Sequence, residues 1–511
     1  MFRRSLTFAA PLALLLASSF AAAQTPVPAP SPAAPPPASG PRPIPTTLAP
    51  PPAPPGAAGP DAPVSKVTES LEAKLASMQR GGGLTSDQAA QRAVSSSADI
   101  AAKRSSLAVA DAQVNATGAG FIPKLDLSAR YTRLSFFHQQ SICLPAGPGM
   151  QPQCFSGDAI SPVIPNNYNL QATLSIPLSD YVLRLSNAMS ASNHSQNAAK
   201  YDEQATRLSV ARDARVDYYQ WIRAQGAGYV AEQALEAARG HAQDAKNSYD
   251  AGLVSRADLL RALSQVKSAE LTVAHYNNQI AVATEQLRVA MGDQPNVNYD
   301  IGENILTDPT PINVPPNPEA GYGEALERRL EMKQLGESEA SLREQAKVAR
   351  AANYPRLDAS GDFIYANPNP RYIPPAQVWH DTWDVNVVLS WTPTNIFGAQ
   401  ANAHVAEAQA DEVAAKRVSL KNALRLEVNQ AMNELTEATV SLESAREGLA
   451  AAEENYRVRR ELYRAGKATV VDVTDAETDL TRSRLEVVNS HVDERIARVA
   501  LEHALGRDVG H

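Results

Sequence analysis

Tyr249-Asp-Ala-Gly252-Leu253-Val254-Ser255-Arg256-Ala257-Asp258 and Tyr463-Arg-Ala-Gly466-Lys467-Ala468-Thr469-Val470-Val471-Asp472 are two versions of one phrase, set 214 residues apart. Upstream, Leu174-Ser175 returns as Leu389-Ser390 at an offset of 215, and Ile122-Pro123-Lys-Leu-Asp126 returns as Tyr354-Pro355-Arg-Leu-Asp358 at an offset of 232. A period this long marks one duplicated unit, not a short-repeat solenoid. Each phrase reads as a helix end, a turn and a new helix. Gly252 and Gly466 sit where a helix ends and a positive φ is useful. Ser255-x-x-Asp258 and Thr469-x-x-Asp472 fit the capping box that starts the next helix. Capping is a sufficient account of Asp258 and Asp472, but it does not reach Asp475, one turn further along the same face.

Upstream of each phrase lies a pair of strand-like segments with period-2 alternation, which puts one set of side chains on each face of a sheet. The first pair sets Leu125, Leu127, Ala129 and Tyr131 against Lys124, Asp126, Ser128 and Arg130, then Tyr168, Leu170, Ala172 and Leu174 against Asn167, Asn169, Gln171 and Thr173. The second sets Leu357, Ala359, Phe363 and Tyr365 against Arg356, Asp358, Ser360 and Asp362, then Trp383, Val385, Val387, Leu389 and Trp391 against Asp384, Asn386 and Ser390. A sheet packed on a soluble core would alternate too. Segments of about ten residues, aromatic residues near their ends and a fully polar second face point instead to tilted strands crossing a bilayer. In lipid a sheet must close on itself, and the smallest barrels use about eight strands, so four strands require further copies of the chain.

Almost everything else reads as helix. From 394 to 465 the chain is rich in Ala, Glu, Arg, Leu and Gln and carries a seam at Val428, Ala431, Leu435, Ala438, Leu442, Ala445, Leu449, Ala452 and Tyr456. Its 3-4 spacing keeps one stripe facing a neighbour and predicts left-handed supercoiling. Helices over 179–251 and 394–465 would each span roughly 110 Å, while 253–291 and 469–506 would be about half as long. The segments 85–121 and 319–352, ahead of the first strand of each repeat, are also half-length, so two half-helices stacked end to end match each long one. The proline-rich stretch 308–318 connects the repeats.

The ends bound the cellular setting. Arg3 and Arg4, the apolar run Leu6 to Phe20 and Ala21-Ala22-Ala23 predict an export signal over residues 1–23, too short to anchor in a bilayer. Seventeen of the 37 prolines fall in 25–63, so 24–84 is expected to be a disordered, Pro/Ala-rich periplasmic tether. The first repeat then occupies 85–318 and the second 319–511. A net charge of −8 without a basic stretch argues against nucleic acid as a partner. Beyond the leader no apolar run approaches the length of a membrane-spanning helix. Cys143 and Cys154 lie in the longer strand connection of the first repeat, and export makes a disulfide the expected state. No Gly-x-Ser-x-Gly, His-Glu-x-x-His or phosphate-binding loop is present, the histidines are scattered, and His491 and His503, a pair on one helix, read as a solvated face. The expectation is no enzyme, no cofactor and no metal.

On these motifs the chain resembles the TolC family of outer-membrane efflux proteins. The likeness runs from about 85 to 508 and is strongest at Tyr463 to Leu480, with its partner at Tyr249 to Leu260. The resemblance implies an α+β fold in which long coiled-coil hairpins build a periplasmic α-barrel tunnel. It also implies four transmembrane strands per chain that complete a twelve-stranded β-barrel in a homotrimer. It further implies that a periplasmic adaptor docks at the helical tips and that an inner-membrane transporter works through that adaptor. Carried over residue by residue, Asp472 and Asp475 ring the pore constriction, and Tyr463 with Asp258 clasps it shut. The tips Gly252, Leu253, Val254, Gly466, Val470 and Val471 receive the adaptor. A second family link would need an Arg and a Thr where this chain has Ala468 and Ala257, with Lys467 as the neighbouring substitute.

The resulting expectation is a passive outer-membrane exit duct of a tripartite pump for small molecules, with its barrel in outer-membrane lipid. The alternatives are the exit duct of a type I protein secretion system and, from another class, a coiled-coil extracytoplasmic adaptor or scaffold without a pore. That last alternative leaves the lipid-facing aromatic and aliphatic band without a purpose.

Overall fold

The computed structural model describes residues 79–135, 140–144, 153–155, 163–307 and 311–507. The expected leader and most of the proline-rich tract lie outside them. In chain order the elements are β1 (Gln79–Leu84), α1 (Ser86–Ser96), α2 (Ala98–Ala119), β2 (Lys124–Arg133), β3 (Ile142–Leu144), β4 (Gln153–Phe155), β5 (Asn166–Ile176), α3 (Ser186–Asp250), α4 (Arg256–Met291), α5 (Pro318–Arg328), α6 (Leu330–Arg350), β6 (Arg356–Asn367), β7 (His380–Ser390), α7 (Asn395–Arg464) and α8 (Val470–Ala504). A single π turn, Tyr181–Leu185, leads from β5 into α3.

The helices α3 and α7 are 65 and 70 residues long, and α4 and α8 are 36 and 35. No helix of that length is stable on propensity alone; packing along an apolar face holds it. The contacts of α3 run antiparallel along α2 and α1. Thr117 meets Ser192 at 3.0 Å, Gln196 donates to Asp111 at 2.8 Å, Lys103 pairs with Asp202 at 2.7 Å, and Arg215 pairs with Asp87 at 2.9 Å. Beyond them α4 takes over: the Trp221 indole donates to Thr284 at 3.1 Å, and Ala242 and Ala245 pack with Ala262. In the second hairpin Val428, Ala431, Leu435, Ala438, Leu442, Ala445 and Leu449 are all buried along α7. Alternating Leu with Ala lets neighbouring backbones approach closely at every second layer. The two hairpins meet where α6 touches both α3 and α7, and where α8 packs on α3.

Three expectations are corrected. The half-helices 85–121 and 319–352 are each broken once, at Ser97 and at Arg329, both with extended ψ (125° and 121°). The Ser97 hydroxyl caps the amide of Ile100, whereas the Arg329 guanidinium is held by Glu331, Glu427 and the carbonyl of His503. The two breaks are 232 residues apart, the same offset as the strand repeat. The disordered tether does not reach residue 84, because Gln79–Leu84 is a strand whose Leu84 bridges Ile301 in parallel. The Leu84 carbonyl accepts from the Tyr218 hydroxyl at 2.7 Å beside the buried Trp221, Leu287 and Met291. Glycine is required at this crossing, since a Cβ at Gly302 would lie 2.3 Å from the carbonyl oxygen of Gly83. Finally, His491 and His503 are not a solvated face. His491 is buried, and His503 is pushed down to about 4 by burial first and then by Arg329 and Arg212.

The strands form one antiparallel sheet in the order β2-β5-β6-β7. Leu125 faces Leu174, Tyr131 faces Tyr168, Leu170 faces Tyr365, Phe363 faces Trp383 and Leu357 faces Leu389. The apolar sets of all four strands therefore share one face. Within a single chain that face is bare: Leu127 is 75% exposed, Trp383 72% and Val387 65%. On the other face Asp126, Thr173, Asp362 and Asp384 form one row across the strands. Trp391 falls just beyond β7 and donates to the carbonyl of Asn353 at 3.2 Å. Cys143 and Cys154 are paired across the small β3–β4 hairpin and are disulfide-bonded.

The depressed His503 carries a pH signature. A histidine held neutral in the fold contributes stability above its unfolded value of about 6.5, and that contribution is lost as pH falls toward about 4, at most about 3 kcal/mol. Chemical denaturation of purified protein should show this decline, and His503→Gln should flatten that part of the slope. An unchanged slope in the variant would remove His503 as its source.

Candidate functional site

The two turns that end the hairpins fold alike because their sequences do. Gly252 and Gly466 have φ of 75° and 67°. The amide of Leu253 closes onto the carbonyl of Ser248, and that of Lys467 onto Leu462, each at 2.8 Å. A Cβ on either glycine would meet open space, so the left-handed backbone, not crowding, asks for glycine. Leu253 is 78% exposed and Val471 is exposed beside it, with Val254 and Val470 half-buried. Each turn thus presents small and apolar surface.

Both following helices open with a complete capping box. The Ser255 hydroxyl accepts from the Asp258 amide at 3.2 Å, while the Asp258 carboxylate accepts from the Ser255 hydroxyl at 2.7 Å and its amide at 3.2 Å. In α8 the Asp472 carboxylate accepts from the Thr469 hydroxyl at 2.7 Å and its amide at 2.8 Å. These donors hold both carboxyls below the usual carboxylate range. Their contribution is present above that range and is lost as pH falls through the lowered values. Asp472 has a further neighbour in Arg459, at 3.6 Å from its second oxygen.

The residues singled out in the sequence are brought to one end but are not equivalent. Asp475 is exposed, one turn beyond Asp472, and lines a cavity of about 290 Å³ with His241, Arg261, Gln265, Val470 and Glu477. Tyr463 lies beside Ser248, Asp244 and Asp258 of the first hairpin. Partial burial first, then the two carboxylates, push its phenol up, while Ser248 pulls it down. Among the described residues no hydrogen bond joins Tyr463 to Asp258; the oxygen of Asp258 that accepts bonds is turned to its own cap. The Asp258 carboxylate bears on the Tyr463 phenol through its charge, while Ser248 is the phenol's hydrogen-bonding neighbour.

One constellation follows from no sequence pattern. The His241 Nε2 lies 3.0 Å from a Glu477 oxygen and 3.4 Å from the Tyr456 hydroxyl. The contact joins α3 to α7 and α8 across a separation of 215 residues and carries no local sequence signal. Among the described residues no cluster could hold a metal ion, and no helix is long and apolar enough to cross a membrane.

This arrangement has known counterparts. The profile of the outer membrane efflux protein family matches residues 89–293 and 321–507. The outer membrane protein TolC of Escherichia coli (strain K12) is 26% identical over 269 residues, which are 50% of this chain and 53% of that protein. The chain thus spans about half the length of the curated relative it matches. The outer membrane protein VceC from Vibrio cholerae superposes with a TM-score of 0.69 at 17% identity, covering 86% of this chain and 99% of that one. The CmeC outer membrane channel of Campylobacter jejuni superposes with a TM-score of 0.68 at 16% identity, covering 88% and 94%. These two likenesses speak for the fold, a helical tunnel joined to a β-barrel, and the family profile spans most of both repeats. The chain belongs to the outer membrane efflux protein family.

Proposed function

We propose that this chain is the outer-membrane exit duct of a tripartite efflux pump, a passive conduit for small molecules. The observation that carries this reading is the four-stranded sheet. One face is continuously apolar and bare, the other is polar, and the strands continue into helices of 65 and 70 residues. A bare apolar face matches acyl chains, and a polar face matches a watery lumen. The sheet has two edge strands, β2 and β7. Three copies joined edge to edge would leave no unpaired edge in lipid. The helices would then run into the periplasm as a tunnel, with the turns at Gly252 and Gly466 at its far end.

In this reading the duct does no chemistry and takes no cofactor. An inner-membrane transporter supplies the energy and reaches the duct through a periplasmic adaptor. The adaptor docks on Gly252, Leu253, Val254, Gly466, Val470 and Val471, where small and apolar surface is offered between polar helices. Around a three-fold axis Asp475, exposed and one turn beyond the cap, would face its copies, so it is the stronger constriction residue. Asp472 contributes what its cap and Arg459 leave over. Tyr463, near Asp244 and Asp258, holds the hairpins inward against that repulsion. Residues 1–23 direct export, and the proline-rich tract links the duct to its periplasmic surroundings.

Three measurements test this. Native mass spectrometry of detergent-purified protein should give a trimer, and a stable monomer or dimer would sink the closed barrel. In planar bilayers Asp475→Ala with Asp472→Ala should lower cation selectivity and relieve block by multivalent cations, with Asp475→Ala alone supplying most of the effect. Wild-type selectivity in the double variant would put the constriction elsewhere. Gly252→Arg or Gly466→Arg should abolish export in cells while the trimer still assembles, and normal export in both would argue against docking at the turns.

A further inference from the structure

We propose that the connection between β6 and β7 is an inward strap on the outer mouth of the duct, and that Arg371 on it selects which charge passes. The proposal rests on the channel reading above and concerns the strand end of the molecule, not the turns.

The connection covers residues 368–379, between Asn367, the last residue of β6, and His380, the first of β7. Pro368, Pro370, Pro374 and Pro375 fix φ at four of its positions, so it has few ways to fold. Most of its side chains are exposed, but Asn369 is buried to 1%. The Asn369 side-chain amide donates to the carbonyl of His380 at 3.1 Å and to the Thr382 hydroxyl at 3.2 Å, and its side-chain oxygen accepts from the Arg371 amide at 2.9 Å. The Tyr372 amide closes the turn onto the carbonyl of Asn369 at 3.2 Å. This turn lays two side chains on β7. The Tyr372 ring stacks on His380 with centroids 4.1 Å apart, and the Arg371 guanidinium pairs with Asp384.

His380, Thr382 and Asp384 alternate along β7, so all three belong to one face of the sheet. It is the face of the row Asp126, Thr173, Asp362 and Asp384, which lines the lumen in the duct reading. The first half of the connection therefore lies on the lumen side of the rim. Its last residue returns to the lipid side, where Trp379 stacks on Tyr365 with centroids 4.8 Å apart and packs on Tyr168 at 5.9 Å. A connection held on both sides of the rim does not stand away from the mouth as a free loop. In a closed barrel each copy brings one such strap to the same level.

Charge gives the strap its selectivity. Asp362 and Asp384 stand directly opposite each other in the register, which is unfavourable for like charges. Asp362 is met by the Thr173 hydroxyl and the Gln171 amide, both neutral. Asp384 is met by the Asn386 amide and by Arg371, which brings the cation. Arg371 keeps 40% of its side-chain surface and Asp384 28%, so the pair sits in water at the lumen wall. An exposed pair of this kind is weak and screened by salt, which suits a latch that cargo must displace. The three bonds of Asn369 keep the turn in place when the latch opens. Latched, Arg371 narrows the mouth and offsets the acidic row, so a cation meets less attraction and an anion less repulsion.

The test reads the outer mouth from outside intact cells, independently of the turns. The two cysteines of the chain are bonded to each other, so Ser360→Cys adds a unique thiol. Position 360 is on the lumen face, about 7 Å further from the mouth than the Asp362 pair. Labelling by a cationic and by an anionic methanethiosulfonate reagent is timed in cells and scored on the purified protein. Arg371→Ala should speed labelling by both reagents about threefold to tenfold and raise the cationic-to-anionic ratio. Asp384→Asn should also speed labelling but lower that ratio, because the released Arg371 keeps its charge. Arg371→Asp combined with Asp384→Arg should restore the slow wild-type rate. Unchanged rates in both single variants, or a ratio that moves the same way in both, overturn the strap and leave the duct standing. If Asp384→Asn fails to assemble, Arg371→Ala in the exposed connection decides alone, and wild-type labelling in it overturns the proposal. A thiol that neither reagent reaches in any variant overturns the duct reading itself.

Discussion

A four-stranded sheet has two edges, and each edge is a row of backbone donors and acceptors that must find partners. In this chain the edges are β2 and β7, and between them the register gathers the alternating apolar sets on one face, leaving Ile364 and Val388 on the other. Among the described residues no helix covers that face. An exposed apolar sheet with open edges is costly in water and in lipid alike, and that cost is the physical ground for proposing that further copies complete it. The helices follow from this constraint. They leave the strands at both ends of each pair, and their length is tolerable only because each lies against others along most of its course.

The turns show how one residue serves two masters. Asp258 and Asp472 are first of all helix caps, with two local donors each within hydrogen-bond distance. A carboxylate so engaged is ionised and fixed in direction, which suits a pore lining, but it is not available as a strong partner to a distant phenol. Tyr463 accordingly bonds to Ser248, with Asp244 and Asp258 acting on it through their charge. Asp475 has no such local duty, and that separates the two acidic positions that the sequence presents as a pair.

Duplication explains contacts that no single motif predicts. The helix breaks at Ser97 and Arg329 share the strand offset but not their chemistry, a hydroxyl cap in one and an Arg network in the other. His241 of the first hairpin lies beside the Tyr456 hydroxyl and Glu477 of the second.

The sequence by itself determined the elements and their faces. Period-2 and 3-4 patterns are local consequences of pleat and helix pitch, so Leu125 to Tyr131 and Val428 to Leu449 declared their buried or lipid-directed sides without reference to any neighbour. The turn glycines and capping boxes were legible for the same reason, each being satisfied within six residues. Tertiary structure decided what depends on residues far apart in the chain. Gln79–Leu84 pairs with Ile301, more than 200 residues away, and His503 is pushed down first by desolvation and then by Arg329, which arrives from another helix. Asp258 turns to Ser255 and not to Tyr463, a competition settled by distance in three dimensions. Side-chain pairing across hairpins has no period, and that is why the His241 contact had to be seen and could not be read.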